Sequence, residues 1–286
     1  MFQPKFGLTG ATTMTLHTEL RLHAFRPLCN KGVVAWAWAW AIMLLLGLSA
    51  WPAWAEEASE GDTVARDMLL RADRIRFPEG GFQVDVTITT TQPDSEPDVR
   101  AYRILSKGNT QTLVQTTAPA VDRNQILLMR DRDLWAFLPN LSQPIRLPLS
   151  QRLTGQVANG DLARANFAGD YEPKLLRKEK IEGETYQVLQ LDAVDNWVTY
   201  RRVLYWVNTK NFRPFKAEYF ALSGRLLKTA LYQEFQSLSG ETRPTRLVVE
   251  DALRHGNRSV LEYSNMAERD LPDKLFTKDY LKKLSR

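Results

Sequence analysis

From Phe82 onward the chain repeats one pattern: apolar and polar side chains alternate with a period of two, in runs broken by turn residues. Phe82, Val84, Val86 and Ile88 alternate with Gln83, Asp85, Thr87 and Thr89, the signature of a strand with one face buried. Val99–Leu105 and Thr112–Thr117 follow around Lys107-Gly108-Asn109. Gln125–Arg130 and Leu134–Leu138 follow around Asp131-Arg132-Asp133. Further runs span Leu175–Glu182, Thr185–Asp192, Val198–Asn208, Phe215–Leu222, Arg225–Tyr232, Thr245–Asp251 and Ser259–Tyr263. Strands at this spacing, joined by short polar turns, predict an antiparallel meander that curls toward a barrel. No strand–helix–strand alternation is present, which argues against a doubly wound nucleotide-binding fold.

Helical periodicity is confined to the two flanks. Asp62–Phe77 places Val64, Met68, Ala72 and Ile75 on one face, with Asp62 as a cap and Pro78-Glu79-Gly80-Gly81 as a stop. Pro272–Leu284 places Phe276, Tyr280 and Leu284 at i, i+4, i+8, with Lys282 and Lys283 at the negative end of the helix dipole. Between the two blocks of strands, residues 150–170 lose the alternation. Asp161 there can cap a short helix running to Phe167. A long irregular insertion in a β domain is either a lid or a plain surface excursion. The expected fold is mainly β (α+β), a half-open curved antiparallel barrel of about ten strands covered by helices.

The first 55 residues have a different character. Lys5, Arg21, Arg26 and Lys31 precede an apolar run from Val33 to Ala50, and Ala53-Trp54-Ala55 offers a small-x-small cleavage site. This order predicts a signal peptide over residues 1–55, cleaved near Ala55, and a periplasmic working domain over residues 56–286. The alternative is an anchor that is kept, since 18 apolar residues lie at the lower edge of what spans a bilayer. Either way the basic flank leaves residues 56–286 outside the inner membrane.

Removing the leader alters the chemistry on offer. Cys29, the only cysteine, goes with it, as do five of the eight tryptophans and two of the three histidines. The 38 basic residues fall to 34 and the 33 acidic ones to 32, a net charge of +2 instead of +5. The basic isoelectric point of the full chain is therefore no argument for nucleic-acid binding.

A search for catalytic groups finds little. His255 stands alone in Arg254-His255-Gly256-Asn257, a turn sequence, and cannot be placed in a nucleophile–base pair. Metal-binding spacings, phosphate-binding glycine loops and a thiol nucleophile are absent from residues 56–286. Asp161 and Asp170 could form a carboxylate pair, but a helix cap and a loop acid explain them more simply. Aromatic residues on strands are plentiful, and periodicity alone leaves open whether they pack a core or line a cavity.

Several stretches taken together resemble the outer-membrane lipoprotein-sorting proteins, the LolA-like carriers. They are Ala118-Pro119-Ala120 with Gln125–Met129, Leu134–Pro139, Pro144–Pro148 with Gln151–Gly155, Asn159–Ala163, and Asp170-Tyr171. Tyr200–Val207, Ser223–Lys228, Arg243-Pro244-Thr245, and Leu271-Pro272-Asp273 with Phe276, Lys278 and Tyr280-Leu281 complete them. The resemblance spans most of residues 62–285. One departure is Asn124, where many relatives carry glycine.

The resemblance implies a periplasmic carrier that holds acyl chains in an apolar barrel cavity and shuttles a lipoprotein or another lipid from inner to outer membrane. It implies no cofactor, no metal and no catalytic residue. Its partners would be the acylated cargo, an inner-membrane transporter as donor and an outer-membrane acceptor, and the carrier would act as a monomer. Within this reading the cavity is expected to be lined by Met129, Trp135, Phe137, Trp206, Phe215 and Tyr219. A lipid- or lipoprotein-sensing regulatory module of similar fold is the alternative, and an envelope hydrolase is a third reading without a recognisable nucleophile and base.

Overall fold

The computed structural model describes residues 60–108, 110–164 and 166–284. The expected signal peptide, residues 1–55, lies outside them.

Helix α1, Glu60–Arg76, opens the described chain and is followed by strands β1 (Phe82–Thr91), β2 (Asp98–Lys107), β3 (Gln111–Ala118), β4 (Ile126–Arg130), β5 (Asp133–Phe137) and β6 (Ile145–Leu147). An insertion holds the short pair β7 (Arg152–Thr154) and β8 (Val157–Ala158) and helix α2 (Asn159–Ala163). Then come β9 (Tyr171–Ile181), β10 (Glu184–Ala193), β11 (Arg202–Asn208), β12 (Pro214–Phe220), β13 (Leu226–Leu238), β14 (Glu241–Asp251) and β15 (Arg258–Glu268). A 3₁₀ turn at Asp273–Phe276 leads into helix α3, Lys278–Leu284.

Thirteen strands form one antiparallel sheet in the order β6-β5-β4-β3-β2-β1-β15-β14-β13-β12-β11-β10-β9. Two meanders, β1–β6 and β9–β15, are joined only where β1 pairs with β15, as in Ile88 opposite Leu261. Bulges between Gln83 and Asp85, Ala101 and Tyr102, Val188 and Leu189, and Trp206 and Val207 interrupt the ladders. Each bulge bends its strand and raises the local twist, which curls a sheet of this width.

The period-two reading holds residue by residue. In β1, Phe82, Val84, Val86 and Ile88 are buried and the residues between them are half-buried. With Ile104, Val114, Met129, Tyr205, Tyr219, Tyr232 and Leu261 they form the main core on the inner face, covered by Ala65, Met68, Leu69 and Ala72 of α1. The helix is turned from the face its apolar pattern predicts: Val64 is exposed, while Asp73 and Arg76 are buried. Charged side chains occupy the inward stripe, so a purely apolar template misplaces it. A second cluster lies on the outer face, where Leu113, Ile126, Leu128 and Phe137 pack with Leu271, Phe276 and Leu281 of the C-terminal segment.

The C-terminal helix is shorter than expected. Residues 273–276 form a 3₁₀ turn, and helix α3 begins only at Lys278, after the extended Thr277. Leu281 is fully buried and Leu284 exposed, because the break at Thr277 rotates the later residues away from the i, i+4, i+8 stripe.

Candidate functional site

Where the inner face is not filled by side chains, it encloses a cavity of about 200 Å³. Its walls are the C-terminal half of α1, the start of β1, the end of β2, the start of β3, and α2. Leu70, Phe77, Phe82, Val84, Ile104 and Tyr263 supply the apolar surface. Asp73, Ser106, Thr112, Asp161 and Asn166 supply polar atoms. Ser106 and Thr112 share a hydrogen bond of 3.1 Å, while Asn166 Oδ1 is buried with no partner. Alternation explains the mixture: inward positions of β1 and β2 carry Phe82, Val84 and Ile104 beside the polar Ser106, and those of β3 include Thr112 and Thr116.

Deeper in, three buried ion pairs stand beneath the sheet: Arg76 with Asp73, Arg164 with Asp170, and Lys228 with Asp161. Lys228 donates to Asp161 Oδ2 at 2.6 Å and to the carbonyl of Gln156 at 2.9 Å. The Tyr200 hydroxyl donates to the same carboxylate at 3.0 Å. Asp161 also accepts the backbone N–H of Ala158 at 2.8 Å, so it anchors the start of α2 from inside the helix and not as its cap; α2 ends at Ala163, short of Phe167. Asp161 and Asp170 form no carboxylate pair, in line with the simpler reading of the sequence; each has its own cation. Removing charge from water is costly unless partners compensate it, and here each carboxylate has a cation, with further donors to Asp73 and Asp161.

Asp73 accepts the N–H groups of Phe167 and Ala168 at 2.8 Å each, tying α1 to the end of the insertion. Burial pushes its carboxyl up to about 6, against the opposing pull of Arg76 and the two N–H donors. The Arg76 guanidinium lies 4.6 Å from the ring centre of Phe167. Around these pairs, burial raises the phenols of Tyr200, Tyr205 and Tyr219 well above their usual range. The hydroxyls of Tyr205 and Tyr232 are close enough to influence each other without reaching hydrogen-bonding geometry.

The spaces adjoin one another, with wall residues in common. A small cavity of about 30 Å³ beside Tyr219 and Lys228 shares Asp161 and Tyr263 with the large one. It also shares Val157, Tyr200 and Lys228 with a third space of about 180 Å³ that reaches Leu253. No group of His, Cys, Asp and Glu that could hold a metal ion occurs among the described residues. No helix among them is long and apolar enough to cross a membrane.

A curved half-open sheet with a helix over its hollow matches a solved LolA superfamily protein from Nitrosomonas europaea, at 59% sequence identity. The match covers 76% of this chain and 98% of that one, with a TM-score of 0.73. The chain belongs to the LolA superfamily. A family model described as "Uncharacterized protein" matches residues 108–283. Two more distant structures share the superfamily fold. A DUF1329 family protein from Desulfovibrio piger is 19% identical, with TM-score 0.67, covering 77% of this chain and 99% of that one. A domain named for outer-membrane lipoprotein sorting, from Vibrio parahaemolyticus, is 21% identical, with TM-score 0.65, covering 77% and 99%. No curated protein matches the chain.

Within this LolA-superfamily fold the six expected lining residues fall into separate places. Met129 and Tyr219 belong to the inner core, and Tyr219 packs on Tyr200 with ring centres 4.6 Å apart. Trp135 and Phe137 belong to the outer cluster, where the ammonium of Lys278 stands 3.1 Å from the centre of the Trp135 ring. Trp206 alternates with the inward Tyr205 and Val207; its indole N–H donates to Glu179 at 2.7 Å, and Lys216 covers its ring. Phe215 packs on Tyr186, with ring centres 4.9 Å apart. Large aromatic residues were the sequence signal, yet none of the six lines this hollow, whose aromatic walls are Phe77, Phe82 and Tyr263. Asp73 and Arg76 escaped notice because charged residues in an amphipathic helix usually face water. Their signal was their i, i+4 spacing from the buried Leu69 and Ala72.

Proposed function

We propose that this protein is a periplasmic carrier that holds an acyl chain of a lipoprotein or another lipid under α1 and moves it from the inner toward the outer membrane. The observation that carries the reading is the cavity between α1 and the inner face, walled by Leu70, Phe77, Phe82, Val84 and Ile104. Membership of the LolA superfamily supports it. A methylene taken from water into such a space is worth about 0.8 kcal/mol, so a 14-carbon chain is worth roughly 10 kcal/mol. That is enough to hold a molecule that cannot cross water unaided, and no covalent chemistry is required. An inner-membrane transporter would load the carrier and an outer-membrane acceptor would unload it.

Native mass spectrometry of protein taken gently from its own periplasm tests the reading. A co-purifying lipid or acylated peptide is expected. Leu70 lines the cavity and is itself 40% exposed, so Leu70→Asp should leave the fold intact and lower the lipid-bound fraction. An apo mass for the wild-type protein, or equal occupancy in the variant, would count against it.

A further inference from the structure

We propose that the end of the sheet carrying Val121, Leu222 and Leu253 docks onto the surface of a lipid bilayer. This does not depend on the carrier reading. In an antiparallel meander the connections fall alternately at two ends. One end holds residues 92–97, 119–125, 138–144, 194–201, 221–225 and 252–257. The other holds residues 77–81, 131–132, 182–183, 209–213 and 239–240. Six exposed large apolar side chains lie in such connections: Val121, Leu141, Val194, Trp197, Leu222 and Leu253. All six are at the first end, and the second has none among the described residues. Single exposed aliphatic residues are common on any protein. Their complete segregation to one end is what asks for a cause.

Part of this end is already engaged. At the edges the curl of the sheet brings the two ends together: Asp195 of the 194–201 loop pairs with Arg132 of the 131–132 turn, and Trp197 lies under Arg146, so the division into two ends holds for the middle strands only. That leaves Val121 at 86%, Leu222 at 82% and Leu253 at 50% exposure. They sit on the β3–β4, β12–β13 and β14–β15 connections, and these strands follow one another in the sheet with only β1 and β2 between. The β1–β2 connection is packed against its neighbour, since a Cβ on Gly256 would come within 2.9 Å of Pro93. The tips therefore form one row.

The spacing and charge select the occupant. The Leu222 and Leu253 tips are two strands apart, about 10 Å, and the Val121 tip is four strands from Leu253, about 20 Å, with polar backbone and charged residues between. A protein partner wants a contiguous apolar core; a bilayer interface closes around each separate side chain. Asp94, Glu96 and Asp122 in these connections are balanced by Arg123, Arg225 and Arg254, so the row has no net charge to steer it to an anionic surface. It fits zwitterionic headgroups. Leu253 also borders the space of about 180 Å³ lined by Lys228 and Tyr200.

The test uses the full chain with its only cysteine removed by Cys29→Ser and a single new cysteine for a polarity-sensitive fluorophore: Val121→Cys, Leu222→Cys or Leu253→Cys, with Ser239→Cys on the opposite end as the reference. Thermal melting checks that each labelled protein folds as the parent does. Vesicles of phosphatidylcholine should shift the emission of all three tips to the blue, at low and at physiological salt alike, and leave position 239 unchanged. An apolar leader that bound the vesicles by itself would not produce this difference between the two ends. Absence of the shift at the tips, an equal shift at 239, or a shift that follows protein concentration without vesicles would overturn the proposal; the last would mean that the tips meet a second copy of the chain.

Discussion

Asn124 holds a φ of 70°, in the left-handed region that glycine enters freely and asparagine tolerates better than most residues. Its N–H donates to the carbonyl of Thr116, which closes the β3–β4 connection. The departure from glycine at this position therefore keeps the turn. Alternation also showed which residues of a strand share a face. What it could not show is which of two buried faces belongs to the hollow. Phe137 and Met129 are both buried from water, yet they lie on opposite sides of the sheet. Asp73 was illegible for a different reason: its burial is set by Phe167 and Ala168, nearly a hundred residues away. Its carboxyl sits at about 6 in the fold, raised from 3.8. A group raised on folding contributes stability that is complete below its unfolded value and is lost as pH climbs through its folded value. Stability should therefore rise by about 1.4 kcal/mol as the pH falls from 7.5 to 5, as that carboxyl takes up its proton. Asp85, Glu179 and Asp273 are held low by hydrogen bonds to Arg103, Trp206 and Lys107. Their contribution is lost only at lower pH, so this window isolates Asp73 from them. Urea midpoints at the two pH values should separate in the wild-type protein and coincide in Asp73→Asn.

Among the elements, the repeated strands were legible because each is a local pattern closed by a local turn. The insertion over residues 150–170 was recognised only as a break in rhythm, since its place is set by contacts with distant strands. Gly155 is the decisive one. It has a φ of 49°, and a Cβ there would stand 2.2 Å from Thr90 Oγ1 and 2.3 Å from Ser259 Oγ. Those two hydroxyls lie 3.0 Å apart, and Ser259 accepts the N–H of Gln156 at 3.0 Å. The β7–β8 turn is thereby seated on β1 and β15. Gly155→Ala must strain the backbone and push both hydroxyls away, a loss of roughly 2–3 kcal/mol in unfolding free energy. Gly183 supplies the control: its φ is 86° but nothing lies within 4 Å of the added carbon. Gly183→Ala should cost only the backbone part, about 1 kcal/mol. Limited proteolysis should cut the first variant within residues 150–160 faster than the second. Equal stability and equal cleavage of the two would mean that the insertion is not seated by this glycine.

For the molecule as a whole, the sequence pattern implied a curled meander but not its order. Both halves are successions of hairpins, and either could in principle have stood alone. The pairing of β1 with β15 puts the first strand in the interior of the sheet and leaves β6 and β9 as its edges. This seam brings together residues about as far apart in the chain as the fold allows, and no local signal announces such a pairing. Loop closure makes it slow to form by itself, but the hairpins on each side shorten the effective loop before it closes. The seam should then form after both meanders. Ile88 is fully buried in β1 opposite Leu261, and Ile88→Ala should destabilise the fold by about 2–4 kcal/mol. If the seam closes late, nearly all of that loss will appear as faster unfolding, with the refolding rate almost unchanged. Leu128→Ala, in the local β4–β5 hairpin and also fully buried, should instead slow refolding. Stopped-flow chevrons of the two variants decide the order: a larger refolding defect in Ile88→Ala than in Leu128→Ala would place the seam first, with the hairpins assembling onto it.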